Sequence, residues 1–361
     1  MNLRAAVLTI VMAAACGGDD GDAPADVDAA PPEPPVANGT LGAWTPGPAM
    51  PVPRANHASV VLGDDLVVIG GNYRPVPGGA FVRTDRVDAA TIAADGSLGA
   101  WRQMGTLSSA ASEPCAAVWR DQLLVIGGLH DEPSDDSQVW AATRQPDGTL
   151  GAFTSLGHLP TGREAIGSEA YVAGDTLYVM SGTLPLDGDT LSVLITPLGA
   201  GPLAWREQVL APMPGWRGQP MFAFTGNAFH ALGGYLGGTV EVVADVQWAR
   251  LAGGVLTPGP DEAPLPAPTA AGEVMAVDGY AFLVGGKPRI NGSMGQSGVY
   301  VTPIAADGAL GLWNPSTALP VGRTNHDLAL GATHLYLTGG SFDMGGVDTV
   351  FSAQVRFAPG T

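Results

Sequence analysis

The chain has 361 residues, 45% of them apolar, and a formal net charge of −18. The 34 acids against 16 bases argue against a nucleic-acid partner, because such a surface repels phosphate backbones. The 52 glycines and 31 prolines, with no collagen period, favour many short strands joined by turns over disorder.

Met1-Asn-Leu-Arg4 opens the chain with a positive charge, and Ala5 to Ala15 is an apolar run too short to span a bilayer. It closes on Ala13-Ala14-Ala15-Cys16, which resembles a bacterial lipoprotein signal. The resemblance implies that residues 1–15 are removed and that Cys16 carries the lipid. It places the domain in the cell envelope, held to a membrane only through this anchor. Gly17, where an Asp would favour inner-membrane retention, leans the expectation to the outer membrane. Residues 16–39 contain no aromatic and run through Pro31-Pro-Glu-Pro-Pro35. Such a segment cannot bury enough apolar surface to offset its chain entropy, so it is expected to be a disordered, extended tether. Cys115 is then the only other thiol. It lies in the apolar run Pro114-Cys-Ala-Ala-Val118 and reads as a small buried hydrophobe, with no internal disulfide.

From residue 40 the chain repeats. Leu66-Val67-Val68-Ile69-Gly70-Gly71 returns in related form, with the first glycine or its Ser181 substitute at 70, 127, 181, 233, 285 and 339. A second phrase, Thr40-Leu-Gly-Ala-Trp44, returns around Trp101, Phe153, Trp205 and Trp313 and loses its aromatic near Val255-Leu-Thr-Pro258. Asp-Gly pairs such as Asp95-Gly96 and Asp147-Gly148 precede it, a strong hairpin-turn signal. A period of this size carrying short strands indicates a repeat architecture. In the first unit the pattern predicts strands a to d over His57–Gly63, Leu66–Gly71, Arg86–Ala94 and Leu98–Trp101. The last unit, with His326–Gly331, Leu335–Gly340 and Thr349–Phe357, lacks a fourth strand, and the spare Leu41–Trp44 supplies it. Pairing the two ends would remove the exposed sheet edges.

These residues resemble kelch repeats: a Gly-Gly doublet ending strand b, Arg54-Ala-Asn-His57 and Arg323-Thr-Asn-His326 opening strand a, and an aromatic in strand d. The resemblance covers residues 40–361 and implies an all-β, six-bladed β-propeller closed by strand 41–44 on the last blade. The b–c and d–a connections are long and varied, which makes their face the expected recognition surface.

Counting twelve residues back from each strand b start aligns Arg54, Arg217 and Arg323. Three positions on come His57, Pro114, Ser168, Pro220, Glu273 and His326, with Asn325 beside the last and Lys287, Arg289 and Arg74 on nearby loops. Three readings stay open. The arginines and histidines tie loops to neighbouring blades. Arg54, Arg323 and Arg289 grip an anionic group through forked guanidinium hydrogen bonds. His57, His326 and Glu273 hold a metal. Candidate ligand-binding residues are therefore Arg54, His57, Arg217, Glu273, Arg289, Arg323, Asn325 and His326; no metal site, catalytic residue or cofactor is assigned. No nucleophile elbow, P-loop, dinucleotide fingerprint or Cys-x-x-Cys pair occurs. The expected function is a monomeric, non-catalytic binding or scaffold protein that recognises a protein or glycan through the loop face. The alternative is a sugar-processing enzyme acting on an acidic sugar at the channel mouth, by analogy with the sialic acid mutarotases among six-bladed kelch proteins.

Overall fold

The computed structural model describes residues 39–355, apart from 77, 133–135, 161–164, 181–189, 213–216, 238, 290–293 and 343–344. The leader, Cys16 and the tether (residues 1–38), together with Ser181, lie outside the described residues. The described residues contain strands and turns but no helix, and therefore no helix long and apolar enough to cross a membrane.

Six antiparallel sheets of four or more strands follow one another along the chain, with a three-stranded one beside them. Their first strands, numbered here β1 to β6, are Ala58–Leu62, Cys115–Trp119, Glu169–Ala173, Met221–Phe224, Glu273–Val277 and Asp327–Leu330. Each pairs with the strand that carries the apolar repeat, such as Asp65–Ile69 or His334–Thr338. The repeat is an unbroken apolar run because both faces of that strand are buried. Val67 and Ile69 pack towards the second sheet, whereas Leu66 and Val68 pack towards the last, against Ala329, Tyr336 and Val350. Each fully buried side chain of this kind contributes about 1.5–3 kcal/mol.

Among the described residues, the glycine doublets take left-handed backbones and turn their strands onto the neighbouring ones. Gly70 and Gly71 have φ of 60° and 95°, and a Cβ on Gly70 would stand 2.8 Å from the Ala111 carbonyl oxygen. The Gly71 N–H donates to that same carbonyl at 2.8 Å, at the lead into the next sheet. At the other end of the chain the Gly340 N–H donates to the Arg54 carbonyl at 2.9 Å, linking the last sheet to the first.

Three of the recurring tryptophans act as clasps, whereas the indole N–H of Trp313 is buried without a partner among the described residues. Trp44, Trp101 and Trp205 donate their indole N–H groups to the carbonyls of Thr317, Pro48 and His158, at 2.9, 2.9 and 2.8 Å. In the fourth sheet the outer strand Val255–Pro258 has no aromatic, and Trp248 from the strand beside it donates to Pro260 at 2.8 Å. The N-terminal segment pairs with Val350–Gln354 as the sequence suggests, but further along the chain. Leu41 bridges Val355 and the ladder itself forms at Thr45–Pro46. The outer strand of the first sheet is also longer than its repeat predicts, running from Leu98 to Ser112, because its far end pairs with Leu129–His130.

Candidate functional site: an acid-lined channel between the sheets

The residue before the last one preceding each first strand has a left-handed backbone: Asn56, Glu113, Gly167, Gln219, Ala271 and Asn325, with φ between 48° and 58°. Backbone hydrogen bonds join them in a chain around the mouth of a central cavity. The N–H of Asn56 donates to Asn325 at 3.0 Å, Glu113 to Asn56 at 2.7 Å, Gly167 to Glu113 at 3.3 Å, Ala271 to Gln219 at 3.1 Å and Asn325 to Ala271 at 2.9 Å. The Asn325 amide also donates to the Asn56 side chain at 2.5 Å. This collar leads into a cavity of about 410 Å³ enclosed by β1 to β6, within the size range of small-molecule sites.

Below the collar, the first residues of β3, β5 and β6 bring three carboxyls together. One oxygen each from Glu169, Glu273 and Asp327 lies within 4.8 Å of the others. Asp327 is anchored: its carboxylate accepts from the Leu328 N–H at 2.7 Å and from the Ser59 N–H of β1. Deeper still the walls turn apolar, with Val61, Val118, Tyr171, Phe224, Met275 and Leu330. Burial, then the neighbouring carboxyls, push the pKa of Glu273 and Glu169 well above the carboxylate range. Asp327 is pushed up to about 7 by burial, against the opposing effect of its two backbone donors. Burial also raises Glu113 at the mouth, where the charges of Arg83 and Lys287 pull the other way. The donor set, all carboxyl oxygens, suits a hard cation such as Ca²⁺ and equally an ammonium group. The thiol of Cys115, on β2 beside this tier, is held protonated by burial and by the charge of Glu169.

The residues singled out from sequence fall into three groups. Glu273, Asn325, His57 and His326 border the cavity. Arg54, Arg217 and Arg323 do not; each is buried and turned back into its own sheet. Arg54 pairs with Asp88 at 2.5 Å and donates to the Gly70 carbonyl at 3.0 Å. Arg217 meets Asp245 and the Gly233 carbonyl, the latter at 2.9 Å. Arg323 donates to the Thr349 hydroxyl at 2.6 Å and to the Gly322 carbonyl at 3.1 Å. Arg289 is exposed on its loop, and Lys287 is half-buried.

The register differs from the sequence alignment at one blade. Glu273 does not share a ring position with His57 and His326; it starts β5 as Asp327 starts β6. The strand preceding Gly285 is Tyr280–Val284, so the residue equivalent to Leu66 is Ala281 rather than Phe282, and a one-residue slip sends a side chain to the opposite face. His57 and His326 face the other way. His57 Nε2 lies 2.8 Å from Thr338 Oγ1, and a Cβ on Gly285 would meet His326 Cε1 at 2.9 Å. Burial, reinforced by Arg54, lowers the His57 pKa, and burial with Arg323 takes His326 down to about 3, so both rings are neutral. Glu169 and Asp327 escaped the sequence reading, although a uniform count of twelve residues back from Ser181, Gly285 and Gly339 finds them with Glu273.

No protein-family model matches the chain. The kelch-like protein terF of Aspergillus terreus is 28% identical over 133 residues, which is 36% of this chain and 27% of that protein. The match thus spans about a quarter of the relative's length. Among solved structures, that of YjhT is similar with a TM-score of 0.64 and 14% identity, over 86% of this chain and 97% of its own. At that identity the likeness concerns the fold alone. With the glycine corners and successive antiparallel sheets, these similarities support a kelch-type β-propeller.

Proposed function

We propose that the chain is a six-bladed kelch-type propeller that binds its ligand at the loop face, with a neutral or cationic group of that ligand seated in the acid-lined channel. The blade count and a ring closed by the N-terminal strand are supported by packing. Each of β1 to β6 touches the next, and β6 touches β1. A glycan or a protein partner fits this reading. The observation that carries it is the cavity of about 410 Å³ with Glu169, Glu273 and Asp327 converging inside it. Neither glutamate is held by a hydrogen bond or ion pair from a described side chain. The arginines that could have balanced them are committed to Asp88, Asp245 and Thr349. An anionic group in the channel would find no arginine or lysine among the lining residues to balance it.

A thermal-shift screen of the chain against neutral, amino and acidic sugars, Ca²⁺ and small amines tests the proposal. Binding to the folded state at a hundredfold excess over Kd adds about 2.7 kcal/mol of stability. A neutral or cationic ligand that raises the midpoint, and fails to do so in Glu273→Gln, supports the channel reading. A shift with acidic sugars alone, or one unchanged in Glu273→Gln, overturns it.

A catalytic reading has its own support, because paired carboxyls with raised pKa values are what general acid–base work on a sugar requires. Turnover of a sugar found in the screen, lost in Glu169→Gln and Glu273→Gln, would decide for it. We further propose that Cys16 is lipid-modified and tethers the propeller in the cell envelope, at the outer membrane. Incorporation of a labelled fatty acid that disappears in Cys16→Ser tests this.

A further inference from the structure

The collar at the channel mouth is uneven. Asn56, Glu113, Gln219 and Asn325 place amide or carboxyl side chains at the cavity, whereas Gly167 and Ala271 offer nothing beyond a methyl group. Those two bare positions immediately precede, by two residues, the glutamates that start β3 and β5. The amide pair Asn325–Asn56 closes the arc over β6 and β1. The opening at Gly167 is flanked by Glu113, since a Cβ there would stand 3.4 Å from Glu113 Oε2.

We propose that Gly167 and Ala271 are specificity-determining positions of the channel mouth, leaving two openings through which a slender amine- or hydroxyl-bearing arm of the ligand reaches Glu169 and Glu273. This rests on the channel being the ligand site. Both positions have left-handed backbones, which asparagine tolerates better than other side-chain-bearing residues, as Asn56 and Asn325 demonstrate in the same collar. Ala271→Asn therefore narrows one opening while leaving the backbone bonds from Ala271 to Gln219 and from Asn325 to Ala271 in place.

The access is measurable without knowing the ligand. The probe is a water-soluble carbodiimide with glycinamide as the trapping amine, read by peptide mass spectrometry at each carboxyl. In the native chain Glu273 is labelled. In Ala271→Asn its labelling rate falls several-fold, while that of the exposed turn residue Asp147 is unchanged. Ala271→Gly, which removes the methyl and suits the backbone, labels Glu273 at least as fast as the native chain and guards against a variant that merely unfolds. Equal Glu273 rates in native and Ala271→Asn chains, or no labelling of native Glu273, would overturn the gate. Failure of the channel as ligand site is a separate result: the ligand-induced thermal shift then survives Glu273→Gln, whatever the labelling rates are.

Discussion

At the scale of single residues, the channel carboxyls and the buried arginines have opposite energetic characters. Glu169, Glu273 and Asp327 crowd like charge into an enclosed space, which favours function over stability. A carboxyl with a raised folded pKa binds its proton more tightly when folded. Its contribution to stability is present below the unfolded value, about 4. It is lost as pH rises through the folded value, about 7 for Asp327. Glu273→Gln is therefore expected to raise the unfolding midpoint at pH 8, by about 1 kcal/mol, with the gain shrinking towards pH 5. A midpoint that falls equally at both pH values would contradict this. The arginines behave in the opposite sense. Arg54→Ala leaves Asp88 buried with only Arg86 as a charged partner, and breaking such a buried pair costs about 3–5 kcal/mol. Arg323 donates to a hydroxyl and a carbonyl, so Arg323→Ala is expected to cost about 1–2 kcal/mol. Urea denaturation of the two variants checks the order.

At the scale of elements, the short left-handed segments ahead of β1 to β6 matter as much as the strands. They turn the chain from the outer edge of one sheet to the channel edge of the next, and their backbone groups bond to each other. A β-branched side chain suits that conformation poorly. Ala271→Val at φ 52° is expected to cost about 1–3 kcal/mol, whereas Ala271→Gly costs nothing. Comparison of their denaturation midpoints tests whether collar geometry, rather than side-chain size, sets the cost. The tryptophan clasps explain a feature of the repeat that strand propensity does not. The indoles of Trp44, Trp101 and Trp205 serve the neighbouring sheet, whereas in the fourth sheet, where the outer-strand aromatic is missing, Trp248 bonds Pro260 just beyond its own outer strand.

At the scale of the whole molecule, the N-terminal segment joins the last sheet. Trp44 is buried with Phe351 and Leu319, and Thr45–Pro46 covers the edge of Val350–Gln354. Removal of residues 39–47 exposes that edge and empties the tryptophan site, for which about 3–5 kcal/mol is expected. Uncovered edges also pair with other chains. The truncated chain should therefore unfold at lower denaturant and sediment with concentration-dependent mass. A midpoint within error of the native chain would argue against the proposed closed ring.

Much of the fold was legible in the residues alone, because the period, the glycine doublets and the apolar runs are local patterns that repeat. A run such as Leu66-Val-Val-Ile69 states by itself that both faces are covered, and Asp95-Gly96 states where the chain turns. The arginines were legible as a ring of positions but not in role, since a guanidinium reads the same whether it faces a ligand or Asp88. The carboxyl cluster was legible only as shared repeat positions, twelve residues before Ser181, Gly285 and Gly339, and not as a meeting of side chains. Glu169, Glu273 and Asp327 sit on three separate sheets, and their convergence depends on the register of each first strand, where one residue reverses the face. Only packing the sheets around a common channel decides which side chains meet, and that is why the period came from the sequence and the site from the tertiary structure.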